Sequence, residues 1–211
     1  MTTTDYSLPM FPLEHPVLPS QLVPLTLFEP RYLALAEYLK QQPEPEFGIV
    51  GIQRGREVGG DDVRADVGVV ARVLELSPLP DDRWRLVATT TRRIRVTAWL
   101  ADAPFPWATV SDWPDEFDGD LANDLDRVVQ AVAQLLDAAQ RHHRIPGLEM
   151  PSVDPDQPDL ALWRLVAFCG LGPLDSLELL EIPTGRLRAQ RAIELIDLRR
   201  ELVDGLGPDE R

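Results

Sequence analysis

The sequence predicts an α+β protein in two parts: a strand-rich β-domain over residues 1–117 and a helical subdomain over residues 118–211. Three observations carry this. Residues 8–113 hold short apolar runs rich in β-branched residues and broken by Pro and Gly, the signature of strands. One helical pattern interrupts them. From Asp118 the apolar residues instead recur at helical spacing. The expected architecture is a twisted, partly closed antiparallel sheet packed on one helix, followed by a helical bundle.

Strands are predicted at Leu22–Leu27, Phe47–Ile52, Val67–Leu76, Arg83–Thr91, Arg93–Leu100 and Trp107–Trp113. Asp81-Asp82 separates two of them by a tight turn, which predicts a hairpin. Arg93 to Thr97 alternates polar and apolar residues, as a sheet with one solvated face does. Prolines at 9, 12, 16, 19 and 24 argue against a fully paired central strand at the N-terminus and favour a stiff, extended edge path. The interrupting helix is predicted from Pro30 to Gln41. Pro30 suits the first turn, Tyr32, Leu35, Ala36 and Leu39 share one face, and Pro43 and Pro45 stop it. Glu29 is placed to accept hydrogen bonds from the start of that helix, and Arg31 to pair with it or with a strand carboxylate such as Glu75. Phe28, at the junction of strand and helix, is expected in the core, where Phe→Ala typically costs about 3–5 kcal/mol. Arg54 to Ala65, polar and glycine-bearing, reads as a mobile loop.

In the second half, Leu121 to Gln140 carries an apolar stripe and predicts a long amphipathic helix. Pro146 to Pro158, with four prolines, is a loop. A second helix is expected from Asp159 to Gly170 with Trp163 in the core, and a third from Leu174 to Glu181. Thr184 caps the last helix, which runs to about Val203, and Gly205 to Arg211 is expected to fray.

Composition narrows the function classes. The net charge is −14, and both halves are acidic, which disfavours nucleic-acid backbones and anionic membranes as partners. No apolar run approaches the roughly 20 residues needed to cross a bilayer, and the N-terminus lacks the basic and apolar regions of a secretory signal. A single cysteine, Cys169, fits a reducing compartment. A cytoplasmic protein is expected, and arginine preferred over lysine suggests a bacterial genome rich in GC. No nucleophile elbow, nucleotide fingerprint or metal-ligand spacing is present, so no catalytic residue, cofactor or metal is assigned. His142-His143 is the sole histidine cluster and reads as a polar helix end. Cys169 reads as a small buried apolar residue.

The opening run Leu8-Pro9-Met10-Phe11-Pro12-Leu13, followed by Phe28-Glu29-Pro30-Arg31-Tyr32, resembles the N-terminal domain of Lon-type ATP-dependent proteases. Phe47-Gly48-Ile49-Val50, Val67 to Val73 and Thr91 to Val96 follow in the family's order. The resemblance is strongest over residues 8–113 and weaker over the helical remainder. Met10 stands where the family has leucine, and Thr90-Thr91 where it often has glycine. A PUA-like β-fold joined to helices is implied, as is recognition of substrate protein. A complete Lon also needs one lysine in its phosphate-binding loop and another beside its catalytic serine. This sequence has one lysine, Lys40, against twenty arginines, and no glycines flank it. The resemblance therefore implies a recognition part without motor or protease, an adaptor or chaperone-like factor for unfolded or extended polypeptide, with a protease or another protein as partner. The alternative is a nucleic-acid-binding PUA-like protein.

The candidate peptide-contacting residues are Trp107, Trp113, Phe105 and Arg93; the alternatives are that Trp107 closes the sheet's hydrophobic core and that the arginines form a solvated sheet face. Trp107 and Trp113 bracket the last strand beside prolines that stiffen the backbone, and aromatic residues are the usual interface anchors. Arg93 belongs to an arginine cluster with Arg83, Arg85, Arg92 and Arg95, which on adjacent strands would form a positive stripe. A cleft between the two halves, bordered by these aromatics and the Arg54–Ala65 loop, is the expected place of binding.

Overall fold

The computed structural model describes residues 4–54, 63–116, 118–142 and 149–205. The chain divides into two compact units between Pro114 and Asp115. The first holds strands β1 (Tyr6–Leu13), β2 (Leu22–Leu27), β3 (Glu46–Arg54), β4 (Val63–Leu79), β5 (Arg83–Trp99) and β6 (Trp107–Asp112), with helix α1 (Pro30–Leu39) between β2 and β3. The second holds α2 (Ala122–Arg141), α3 (Pro158–Phe168), α4 (Pro173–Glu181) and α5 (Gly185–Gly205).

The strand order is β2-β5-β4-β3-β1-β6, and β5 also pairs with β6. That last pairing closes β5, β4, β3, β1 and β6 into a ring, with β2 as a side branch on β5. All pairings are antiparallel except β1 with β3, where Met10 to Leu13 run beside Gly48 to Gly51. The N-terminal segment is thus an interior strand, contrary to the edge path its prolines suggest. The physical reason is a stagger. Residues 6–9 pair with β6 and residues 10–13 with β3, so Pro9 and Pro12 each face one neighbouring strand and each forfeits at most one ladder bond.

Arg83–Trp99 is one continuous strand, not two. Its first half lies between β2 and β4, its second between β4 and β6. Pairing shifts between Val69↔Arg93 and Ala71↔Thr90, so β5 carries one extra residue there, and such a bulge bends a strand. The bulge falls in the polar run Thr89 to Arg93, which is why the sequence reads as a break there. At the other end of the hairpin, where Leu79 pairs with Arg83 across a three-residue loop, Asp81 and Asp82 both have positive φ (62° and 54°), a region that Asp tolerates in turns. Thr90, buried at the seam, donates its hydroxyl to the Leu18 carbonyl (2.6 Å) and accepts from the Gln21 amide (2.8 Å).

The ring encloses Leu8, Met10, Val50, Val70, Ile94, Ala108 and Val110. Strands β1 and β3 are buried on their other face too: Phe11 stacks on Tyr32 of α1 (centroids 4.1 Å apart) and meets Phe47 edge-on. This explains why Leu8 to Pro12 and Phe47 to Gly51 are buried without alternation. Gly68 is required by close approach: a Cβ there would lie 2.2 Å from the Ile49 carbonyl oxygen. On α1 the buried residues are Tyr32, Leu35, Ala36 and Leu39, as the helical spacing predicts. Glu29 does not cap the helix with its carboxylate, which instead accepts from Arg31 (3.1 Å); its main-chain carbonyl accepts from Tyr32 and Leu33.

Phe28 is not in the core. It is 56% exposed. Of the predicted Arg54–Ala65 loop, residues 55–62 lie outside the described residues, and Val63 to Ala65 already belong to β4.

In the second unit α2 and α5 pack together, and Ala131 and Ala138 on α2 and Ala189 and Ala192 on α5 are nearly inaccessible. Thr184 accepts from the Leu187 amide at the start of α5 (3.3 Å). Arg188, at 0% exposure, is the polar centre of this unit. It donates to the carbonyls of Leu179 (3.1 Å) and Ile182 (2.7 Å) at the end of α4, and to both carboxylate oxygens of Asp115, while its guanidinium lies 4.2 Å from the Trp163 ring centroid. The orphan carbonyls of one helix end are thus satisfied by a side chain from the next helix. The predicted tail beyond Gly205 lies outside the described residues.

Candidate polypeptide-binding surface

The sequence-predicted residues fall into two pairs. Phe105 is buried and stacks with Trp107 (5.5 Å), and Tyr38 from α1 meets Trp107 edge-on (5.3 Å). Trp107 is half-buried in this three-ring cluster. Trp113, also half-buried, lies against two guanidiniums, Arg93 at 4.3 Å and Arg95 at 3.6 Å from its centroid. Arg93 itself is only 4% exposed.

Two members of the arginine stripe, Arg92 and Arg83, are paired with carboxylates within the unit, as is the neighbouring Arg72. Arg92 pairs with Asp112 (2.9 Å) and Glu46 (3.1 Å), Arg72 with Glu46 (3.2 Å), and Arg83 with Asp81 (3.7 Å). Tyr6 joins the Arg92 group by donating to Asp112 (2.6 Å). Its partial burial, together with that bond, pushes the phenol up to about 12. Lys40 lies over the Trp84 ring (5.0 Å) and beside Glu37 (3.7 Å). Among the described arginines of this unit, Arg85 has a guanidinium with no hydrogen bond, ion pair or ring contact.

Arg85 stands on a surface that sequence reasoning missed. Strands β2, β5 and β4 form a three-stranded stretch in which Leu22, Pro24 and Thr26 lie opposite Thr89, Val87 and Arg85. Alternation sends these to one face and Val23, Leu27, Leu86 and Ala88 to the other. The second set is buried, on the side of α1. The first is open: Leu22 is 68% exposed, Pro24, Thr26 and Arg85 are exposed, and Val87 and Thr89 are half-buried. Phe28, the next even-numbered residue beyond the strand, is exposed as well. On β4 the same rows continue as Arg72, Glu75 and Ser77, so the open face mixes apolar and charged side chains; its exposed apolar residues mark it as a candidate interaction site. The signal in the sequence was the parity of Leu22, Pro24 and Phe28 in a strand whose odd residues already suffice for the core.

Two depressions lie among the described residues of the second unit. One, of about 400 Å³, is lined by Asp115, Glu116, Asp118, Asp120 and Asp159. It sits where α2, α3 and α5 begin, and carboxylates there complement the positive helix ends; Asp120 caps the Ala122 amide (2.9 Å). The other, of about 440 Å³, runs along Leu195, Leu198 and Leu202 of α5. Burial pushes the Cys169 thiol up to about 12, and its S–H donates to the Leu165 carbonyl (3.2 Å), so it is packed rather than reactive. His142 ends α2, 3.4 Å from Asp204; His143 lies outside the described residues. No described helix is long and apolar enough to cross a membrane.

The first unit is a mostly antiparallel six-stranded sheet, five strands of which close into a ring, with one helix, and the second is a set of four helices; this α+β architecture has known relatives. A family model for the substrate-binding domain of the ATP-dependent protease La (Lon) matches residues 7–197, and the chain belongs to that family. Two solved structures share its fold. One is a Lon N-terminal domain protein from Xanthomonas campestris, 24% identical, with a TM-score of 0.67, covering 90% of this chain and 98% of that one. The other is the N-terminal domain of a Mycobacterium avium complex Lon protease, 19% identical, with a TM-score of 0.63, covering 91% and 98%. No curated protein is significantly similar to the chain.

Proposed function

We propose that this protein is a non-catalytic module that binds extended, apolar stretches of polypeptide, acting in the cytoplasm as an adaptor or chaperone-like factor. The observation that carries this reading is the open face of β2 and β5, where Leu22, Pro24 and Phe28 are exposed while the opposite face is buried on the side of α1. Membership of the substrate-binding family supports it. The half-buried Trp107 and Trp113 are proposed as a second place of contact, with Phe105 and Arg93 acting behind them as supports. Most of the arginines are neutralised within the unit, which favours polypeptide over nucleic acid as the partner.

The test is fluorescence anisotropy with labelled extended peptides and a permanently unfolded protein. Binding is expected for apolar peptides in wild type, and the double variant Leu22→Ser, Phe28→Ser is expected to lose it while keeping its far-UV circular dichroism and melting temperature. No binding up to about 100 µM, equivalent to about −5.5 kcal/mol, would remove the reading.

A further inference from the structure

We propose that the outer edge of β2 takes up an extended polypeptide segment as an added strand, held by main-chain hydrogen bonds. The inference rests on the polypeptide-binding reading and names the class of segment: one whose main-chain N–H groups are unblocked at alternate residues.

β2 stands at the end of the strand order and pairs with β5 alone. The phase of that ladder fixes which groups look outward. Thr90 donates its amide to the Gln21 carbonyl (2.9 Å), one step before the pair Leu22↔Thr89. In an antiparallel ladder alternate residues bond to the same neighbour. Val23, Leu25 and Leu27 therefore bond to β5, and Leu22, Pro24 and Thr26 turn their main-chain groups to the other side. The place of Pro24 agrees, since a strand proline is tolerated where its missing N–H would face solvent on an edge. Leu22 is 68% exposed, Pro24 and Thr26 are exposed, and among the described residues no strand pairs with this edge. It offers the N–H groups of Leu22 and Thr26 and the carbonyls of Leu22, Pro24 and Thr26. Such a row of unpaired main-chain groups is a template for a further strand. Main-chain pairing also suits a surface of mixed side chains: Arg72 and Glu75 share the rows of Leu22 and Pro24, so no single side-chain chemistry is matched there.

The occupant is a segment of another polypeptide and not a second copy of this chain. Two copies of β2 that pair through Pro24 about a two-fold axis forfeit two bonds, because each proline withdraws a donor. A foreign segment forfeits one. Pro24 thus guards the edge against self-pairing while leaving its own carbonyl open.

The experiment uses the full chain and three fluorescent peptides of alternating leucine and threonine: unmethylated, N-methylated at every leucine, and N-methylated at every threonine. The side chains are identical, so the peptides differ in main-chain donors alone. The unmethylated peptide is expected to bind, one methylated peptide to lose about tenfold or more, and the other to stay within about twofold. Pro24→Ala restores the missing donor and should tighten the unmethylated peptide about two- to tenfold, with the melting temperature as a control. Contact through the open face alone predicts the opposite sign, because that variant removes apolar surface. Equal affinities of the two methylated peptides, or unchanged or weaker binding by Pro24→Ala, overturn the edge pairing and leave the polypeptide-binding reading standing. Self-association of wild type in sedimentation that the unmethylated peptide competes away would make a second copy the occupant and also overturn it. Failure of wild type to bind the unmethylated peptide overturns both.

Discussion

Removing the guanidinium of Arg188 should destabilise the helical unit by about 3–5 kcal/mol, the cost of breaking a buried ion pair by deleting one partner. The side chain is fully buried and faces four oxygens: two on Asp115 and the carbonyls of Leu179 and Ile182. Arg188→Met preserves most of the length and the apolar stem over Trp163 but withdraws every donor. A buried carbonyl that loses its donor costs about 1–3 kcal/mol, and Asp115, whose side chain is 15% exposed, keeps a charge that water reaches only in part. The double variant Asp115→Leu, Arg188→Met removes both charges together and should recover a large part of the loss, because apolar replacement of a whole buried pair is often neutral. Urea unfolding followed by far-UV circular dichroism at the helical band reads the second unit, where four of the five helices lie. A single variant within about 1 kcal/mol of wild type, or a double variant as unstable as the sum of its singles, would refute the assignment of Arg188 as the polar centre of the unit.

Phe28→Ala should change stability by less than about 0.5 kcal/mol, as exposed substitutions do, whereas Phe47→Ala, at a fully buried position, should cost about 3–5 kcal/mol; equal midpoints in urea would contradict their placement. The Cys169 thiol, pushed up to about 12 by burial, should resist a disulfide reagent at pH 8 in the native protein and react promptly in denaturant; fast native labelling would show that it is accessible. Tyr6 is held protonated by the fold, its phenol raised from 10.0 to about 12, so its contribution is complete below pH 10 and is lost as pH rises toward 12. Tyr6→Phe should therefore lose stability at neutral pH and show a shallower further loss between pH 10 and 12; identical alkaline profiles would count against the raised phenol.

The sequence by itself determined the type and order of most elements, leaving β1 out of the strand list and dividing β5 in two. Local signals sufficed for that: the helical spacing of Tyr32, Leu35, Ala36 and Leu39, the Asp81-Asp82 turn, the prolines that open α1, α3 and α4, and the change of period after residue 117. The Lon family was legible in the same way, through short blocks of adjacent residues. What the tertiary structure decided was which strands meet and which faces are covered. The prolines of β1 were read as an edge signal, yet the stagger of β3 and β6 along that strand makes it interior. The bulge near Thr90 turned two expected strands into one that serves β2, β4 and β6 in turn. Phe28 and Leu22 are exposed, and Arg93 and Arg188 buried, because burial depends on partners far along the chain rather than on hydrophobicity alone. The open face follows from the same cause: both faces of β2 carry apolar residues, and only the placement of α1 decides which of them water still reaches.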